Sequence, residues 1–406
     1  MAVRIGIIGK TNTGKTTFFN SATLSSSEVS TYPFTTKQPA SSEASAITLC
    51  VHREFGVEDN PRNSRCVDGW RHTPIELMDL PGLVKGAWRG KGLGNRFLSI
   101  AAQSDALLHV VDASGGIDPE GRITEAGAGD PVSDFADIEE ELVMWYHRIL
   151  EGNREKLEKL TQSGASLDEA ISGVYTGVGV SREHAAEALR SVGLEGPEEL
   201  DVGNSKALAS RLYKISKPSL IVANKMDRPG AAANFERLRE RYSDMMVVPA
   251  SADSELSLRR AEQKGLIRYE PGAEQFEIID SAGLSGKQSE ALKFITSKIM
   301  GEYMRTGVQF AINTTVFKLL KMNAIYPVAD GGRLSDKKGN VLPDLVLMKD
   351  GATVLDLAKE VHTDLARGLL YAKDLRNNLR LPPGYQLRDR DVVSLVSAEG
   401  RHSIRR

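Results

Sequence analysis

Gly9-Lys10-Thr11-Asn12-Thr13-Gly14-Lys15-Thr16 decides how the rest of the chain is read. The stretch fits G-x-x-x-x-G-K-[ST], in which the glycines let the backbone wrap closely and point its N–H groups at phosphate oxygens. The flanks suit that role. Ahead lies Val3-Arg4-Ile5-Gly6-Ile7-Ile8, whose β-branched residues read as a buried strand. Behind lies Thr17-Phe18-Phe19-Asn20-Ser21-Ala22, which can continue as a helix. Lys15 offers a cation for the β- and γ-phosphates, Thr16 a hydroxyl for Mg2+, and the helix N-terminus the positive end of a dipole. The stretch predicts binding of a nucleoside triphosphate.

Further along, Ile75-Glu76-Leu77-Met78 is strand-like and runs into Asp79-Leu80-Pro81-Gly82. Downstream of a phosphate loop, this D-x-x-G lets the Asp79 carboxylate hold Mg2+ through water while the Gly82 N–H meets the γ-phosphate. Gly86, Gly90, Gly92 and Gly94 follow, interleaved with Lys85, Arg89 and Lys91, and predict a mobile loop. Ala106 to Val111 is a central strand ending at Asp112, and Phe97 to Gln103 ahead of it reads as helix. A third motif closes the set. Leu220-Ile221-Val222-Ala223 is a strand that delivers Asn224-Lys225-Met226-Asp227. Asp227 can accept from the guanine N1–H and exocyclic amine, donors that adenine lacks; Asn224 holds ring and loop, and the Lys225 stem can cover the base. A site built for those bonds discriminates against adenine by about 1–3 kcal/mol or more. After the next strand, Met246 to Pro249, the backbone at Ser251-Ala252 could reach the guanine carbonyl, with Ser281-Ala282 as a second occurrence of the dipeptide.

Between the second and third motifs the strand–helix alternation breaks. Ile138, Leu142, Trp145 and Ile149 recur at helical spacing and predict an amphipathic helix to about Leu160. Ser166-Leu167-Asp168-Glu169 has capping-box spacing, and Ser181 and Ser205 are placed to cap two further helices. Residues 137–217 thus read as an all-helical insert, within a G domain of residues 1–136 and 218–307. From 308 onward the pattern changes again. Thr314 to Leu320 is strand-like, Val341 to Met348 a second strand, Val354 to His362 a helix and Asp391 to Val396 a closing strand. Strands around one main helix predict a small α+β grasp.

Composition sets the outer bounds. The chain has 406 residues, 41% hydrophobic and 26% charged, as in globular proteins with two or three domains. Its longest apolar runs are strand-sized, so no membrane span is expected; its N-terminus enters a strand directly, and the cytoplasm is the expected compartment. Cys50 and Cys66 are too few for a disulfide framework or a cysteine zinc site. The formal net charge of −2 divides unevenly: residues 308–406 carry 16 Lys/Arg against 11 Asp/Glu, the remainder 36 against 43. A mildly basic C-terminal part suits an approach to RNA, and an ordinary solvated surface accounts for it nearly as well.

The ordered motifs, together with Thr35-Thr36, resemble the translation-factor class of P-loop GTPases and, more narrowly, the Obg superfamily. Tyr32-Pro33-Phe34-Thr35-Thr36 is similar to that group's first switch, and Asp79 to Ala87 followed by Gly90-Lys91-Gly92-Leu93-Gly94 to its second. Gly351 to Leu365 is similar to TGS domains, with Asp391-Val392-Val393 as their closing strand. The arrangement looks like the YchF-related branch in its archaeal and fungal form. The resemblance implies an α/β G domain with a mostly parallel sheet, a helical insert and a C-terminal β-grasp of TGS type. It implies GTP hydrolysis to GDP as a molecular switch, with ribosome or RNA as partner, no membrane, and a monomer.

The implied nucleotide-binding residues are Gly9, Asn12, Thr13, Gly14, Lys15, Thr16, Thr17, Phe34, Thr35, Asp79, Gly82, Asn224, Lys225, Asp227, Ser251 and Ala252. Thr16, Thr36 and Asp79 are the expected Mg2+ ligands, and Lys15, Thr36, Gly82 and Asn12 the expected catalytic set. Leu83 stands where Ras-type enzymes carry the water-orienting Gln. Obg-like members without that Gln often use K+ held partly by an Asn at the position of Asn12, so K+ is a candidate second ion. Three departures stand out. Thr11 replaces a frequent Pro, Arg390 replaces the glycine usual in the closing TGS turn, and Asp227 is kept where ATP-preferring YchF proteins have a degraded guanine motif. The alternative function is a nucleotide-gated RNA- or ribosome-binding module with incidental hydrolysis, or with ATP as its nucleotide.

Overall fold

The computed structural model describes residues 3–25, 40–82 and 101–398. The chain divides into two compact units. One is built from residues 4–42 and 76–311, the other from residue 3, residues 43–75 and residues 312 onward.

In the first unit, β1 (Arg4–Ile8) pairs in parallel with the end of β4 (Trp70–Asp79) and with β5 (Ala106–Asp112). β5 pairs in parallel with β6 (Ser219–Asn224), and β6 with β7 (Val247–Pro249). Every residue of β5 is buried, as expected of a parallel strand covered on both faces. The helix Lys15–Thr23 follows β1, and Ala231–Arg241 and Ala252–Gln263 follow β6 and β7.

The insert is helical. Pro131–Gly152, Arg154–Gln162, Leu167–Val174, Arg182–Val192 and Val202–Ser216 bury Trp145, Tyr146, Tyr175 and Tyr213 together. Two of its caps differ from expectation. Ser166 makes no capping bond; its hydroxyl accepts from Arg182, which also pairs with Asp168. Asp201, not Ser205, caps the last helix, while Ser205 lies inside it, buried against His147. Ser181 forms a capping box with His184, as its position suggests.

The second unit holds a five-stranded sheet, in the order Val346–Lys349, Met322–Val328, Val392–Ser397, Leu369–Asp374 and Arg380–Leu381. Its strands are β10 (Met322–Val328), β11 (Val346–Lys349), β12 (Leu369–Asp374), β13 (Arg380–Leu381) and β14 (Val392–Ser397). Period-two alternation sends neighbouring residues to opposite faces. Ile325 and Val393 pack with Val354 and Leu357 of the helix Val354–Val361. Ala324, Tyr326 and Val392 pack instead with Cys50, Val51 and Leu342. Residues 50–67 therefore cover the second face of this sheet, including the short strand β3 (Arg65–Val67).

Two further expectations give way here. Thr314 to Leu320 is not a strand: Val308–Asn313 runs on as a wider helical turn over Thr314–Leu319, with Ala311, Ile312, Thr315 and Val316 buried. Packing of that apolar side outweighs the β-branched preference of Thr-Thr-Val. The second strand is confined to β11, Val346–Lys349; Val341 makes an isolated bridge to Ser335 instead. Arg390 takes up the left-handed backbone of the closing turn, with φ 63°, and its N–H donates to Ala324.

Candidate functional site

Because β1, β4, β5, β6 and β7 run parallel, their carboxyl ends and the loops that follow share one edge of the sheet, the usual position of ligands in such folds. Gly9 follows β1 with φ 145°, and a Cβ there would lie 2.2 Å from the Val110 carbonyl oxygen. Only glycine fits that backbone and that gap. Gly14, at φ 94°, leads into the helix Lys15–Thr23, so the loop ends where that helix's unsatisfied N–H groups begin.

The Lys15 ammonium curls back to donate to the Lys10 carbonyl at 2.6 Å. Burial lowers its pKa to about 8, partly offset by the Asp79 carboxylate. Thr16 Oγ1 donates to Asp79 Oδ2 at 2.6 Å, so the loop and the D-x-x-G strand end meet directly. Asp79 Oδ1 is buried with no hydrogen-bond partner among the described residues, and burial raises the carboxyl's pKa against the Thr16 bond and Lys15. A hydroxyl beside a buried carboxylate with one unused oxygen is a donor set that fits a hard divalent cation such as Mg2+. Gly82 approaches the loop so closely that a Cβ would lie 2.5 Å from Thr11 Oγ1. Thr17 occupies the first turn of the helix, partly exposed. Phe34, Thr35, Thr36 and Leu83 to Gly94 lie outside the described residues.

The N-K-x-D segment reaches the same place from β6. Asn224 Nδ2 donates to the Thr13 carbonyl at 2.9 Å, and Asn224 Oδ1 accepts from the Ala252 N–H at 3.1 Å. Lys225, itself at φ 64°, donates from Nζ to the Asn12 carbonyl at 2.7 Å and to Asp112 Oδ2 at 2.8 Å. Asp227 accepts from Ser251 Oγ at 2.7 Å and pairs with Arg228 at 3.3 Å. It also lines a cavity of about 350 Å³, together with Ser254, Ser257, Lys287 and Phe294. Ser251-Ala252 thus joins the cluster, whereas Ser281-Ala282 is an exposed turn around Asp280.

Some partners were not evident from motifs. Asp112 is buried and holds both Ser114 and Lys225; its only signal in the sequence is its position at the end of a strand beside the N-K-x-D strand. Lys10, inside the phosphate loop, makes a buried 2.5 Å ion pair with Asp134 of the helix Pro131–Gly152. Asn12, at φ 63°, donates from its amide to the Gly121 carbonyl at 2.9 Å.

Comparison with known proteins fits this arrangement. Residues 4–133 match the family described as 50S ribosome-binding GTPase, 222–330 the Obg-like GTPase YGR210-like G4 motif-containing domain, and 334–397 the TGS domain. An uncharacterized GTP-binding protein of Methanocaldococcus jannaschii is 42% identical over 97% of this chain and 99% of its own length. The chain belongs to the Obg-like, YchF-related GTPases. This Obg-like GTPase is also 31% identical to an uncharacterized GTP-binding protein of Schizosaccharomyces pombe, over 88% of the chain and 90% of the relative. A ribosome-binding ATPase YchF of Bacillus subtilis is 29% identical over 68% of the chain and 73% of its own length. Among solved structures, a GTP-binding protein from Pyrococcus horikoshii superposes with TM-score 0.79 at 34% identity, covering 98% of this chain and all of that one. The fold of this Obg-like GTPase is accordingly that of a P-loop G domain carrying a C-terminal TGS domain.

Proposed function

We propose that the chain binds GTP at this cluster and hydrolyses it to GDP and phosphate, as a switch that acts on the ribosome in the cytoplasm. The observation that carries the reading is the pair of bonds from Asn224 and Lys225 to the carbonyls of Thr13 and Asn12. They hold the N-K-x-D segment directly against the phosphate loop. Asp227 would accept from the guanine edge, with Ser251 and Ala252 beside it; Lys15, Gly14 and the helix N-terminus would bind the phosphates.

In hydrolysis, water attacks the γ-phosphorus, the bond to the β–γ bridging oxygen breaks, and its electron pair stays on GDP. Lys15 and the Gly82 N–H offset the charge that develops, and Phe34, Thr35 and Thr36 are the first-switch residues expected to take part. Mg2+, held by Thr16, Asp79 and Thr36, would neutralise the β- and γ-phosphate oxygens. Leu83 can neither donate nor accept a hydrogen bond, so the water is not oriented as in Ras. K+ is the candidate replacement, with the Asn12 amide oxygen as its protein ligand and the amide nitrogen anchored on Gly121.

The ribosome enters from the relatives: a 50S ribosome-binding family matches residues 4–133, and a relative is named ribosome-binding. That relative is also named an ATPase, which favours ATP as the second reading; retention of Asp227 favours GTP. Steady-state turnover of the full chain with GTP and with ATP, with and without ribosomes, separates them. GTP turnover raised by ribosomes and abolished in Lys15→Ala is expected. Preference for ATP in direct competition would overturn the guanine assignment.

A further inference from the structure

The second unit brings four metal-ligating side chains together. Cys50, His52, Asp59 and Cys66 place one ligand atom each within 4.8 Å of one another. The Cys50 thiol donates to Asp59 Oδ2 at 3.1 Å; Cys66 Sγ lies 3.5 Å from His52 Nδ1, and His52 Nδ1 lies 3.5 Å from Asp59 Oδ2. A tetrahedral zinc centre with bonds of about 2.0–2.3 Å sets its ligand atoms about 3.3–3.8 Å apart. Three of the six separations are 3.1–3.5 Å, and all six are within 4.8 Å.

We propose that Cys50, His52, Asp59 and Cys66 form a structural binding site for a thiophilic divalent cation, zinc by preference. Two cysteines alone are too few for such a site; in this proposal the histidine and the carboxylate complete the set.

Three features support a closed, four-ligand site. First, the ligands are enclosed: Cys50 is 5% exposed, and the Asp59 and His52 side chains 9% and 17%. Second, charge balances. Two thiolates, one carboxylate and Zn2+ sum to −1, and the fully buried Arg71 guanidinium donates to Asp59 at 2.8 Å. Arg71 is fixed in turn by the Leu342 carbonyl and by the Tyr326 ring, 5.5 Å from its guanidinium carbon, the kind of outer support that orients metal ligands. Third, the ligands come from one excursion. Cys50 follows β2 (Ala40–Leu49), His52 opens the short helix His52–Phe55, and Cys66 lies on β3. This excursion covers one face of the C-terminal sheet, and a metal would staple it shut. A thiophilic cation is preferred over Mg2+ or Ca2+ because two of the donors are sulfur.

The test uses the full chain, reduced and stripped of metal, with Zn2+ alone and Co2+ alone as probes. One Zn2+ per chain is expected, in competition with a chromogenic chelator, and Co2+ should give the visible bands of a tetrahedral centre with thiolate-to-cobalt charge transfer. Cys66→Ser should weaken Zn2+ at least about 100-fold, beyond the loss typical of an outer-shell change, and diminish the charge-transfer band. His52→Ala covers the case in which a cysteine variant does not fold; it should bind Zn2+ weakly and shift the Co2+ spectrum. Zn2+ should also raise the melting temperature of the unaltered chain and not that of Cys66→Ser. Failure of the reduced chain to bind Zn2+ would overturn the proposal. So would a Co2+ spectrum without thiolate character, or a Cys50–Cys66 disulfide in the freshly purified protein with no metal bound. None of these outcomes depends on nucleotide turnover.

Discussion

Asn224 Nδ2 donates to the Thr13 carbonyl at 2.9 Å, while Asn224 Oδ1 accepts the Ala252 N–H. One buried amide therefore ties together the loop after β1, the end of β6 and the loop after β7. Gly14 makes room for it, since a Cβ there would lie 2.3 Å from Asn224 Nδ2. Asn224→Ala would break both bonds at a site that is 2% exposed. The expected result is a loss of about 10- to 100-fold in affinity for GTP and GDP alike, on the order of two net hydrogen bonds. Ribose 5′-triphosphate, which has no base, should weaken as well, because the phosphate loop itself loses a support. Calorimetric titration with all three ligands checks this; unchanged ribose 5′-triphosphate binding would confine Asn224 to the base.

Asp227 is engaged by Ser251 and Arg228, and it faces the neighbouring cavity with one carboxylate. Asp227→Asn replaces an acceptor by a donor, which suits the xanthine C2 carbonyl better than the guanine amine. Preference should move from GTP to XTP, read out by competition for a fluorescent nucleotide. Retained GTP preference in this variant would remove Asp227 from base recognition.

The anchoring of Asn12 on Gly121, and Leu83 after D-x-x-G, lead to an ion dependence. GTP turnover should be faster in K+ than in Na+ at matched ionic strength, and Asn12→Ala should abolish the difference. Leu83→Ala should not reproduce loss of a catalytic Gln. Equal rates in the two salts, with and without ribosomes, would point to a residue supplied in trans.

The C-terminal helix Val354–Val361 begins with a reciprocal cap: Thr353 accepts from the Asp356 N–H, and Asp356 accepts from Thr353. The Thr353 bonds, with Lys359 nearby, lower the Asp356 pKa from 3.8 to about 2. A carboxyl with a lowered folded-state pKa contributes stability above about pH 4, which is lost as pH falls toward 2. Asp356→Asn should cost about 0.5 kcal/mol at neutral pH, a small value because the side chain is exposed, and the deficit should shrink on acidification. Amide exchange across Val354–Val361, compared from pH 6 downward, tests the sign; a deficit that grows in acid would contradict it.

Arg390 carries a side chain on left-handed backbone, φ 63°, in the closing turn. A non-glycine residue there is strained by about 1–2 kcal/mol, and glycine recovers part of that against its greater entropy loss. Arg390→Gly should therefore raise stability by up to about 1 kcal/mol, seen as a higher denaturant midpoint at unchanged slope. A lower midpoint would mean that the arginine side chain contributes more than the backbone strain removes.

What the sequence determined by itself was the local structure: the glycine loop after β1, the D-x-x-G and N-K-x-D segments and the strands that deliver them. Each is a short contiguous pattern whose backbone requirement is written in its residue types, as with Gly9 and Gly14 at positive φ. The helical insert was legible for the same reason, through apolar spacing along single helices, although Ser166 gives up its cap to a side-chain partner and the helix holding Ser205 starts earlier, at Asp201. Only the tertiary structure decided which distant residues share a partner. Asp112 and Lys225 meet because β5 and β6 lie side by side, and Lys10 finds Asp134 across 124 positions of chain. Thr314–Leu319 became helix because burial of one face outweighs local preference. Residues 50–67 cover a face of the C-terminal sheet, and in that packing Asp59 and Cys66 meet Cys50 and His52. Such meetings depend on packing between segments far apart in sequence, and a one-dimensional period carries no record of them.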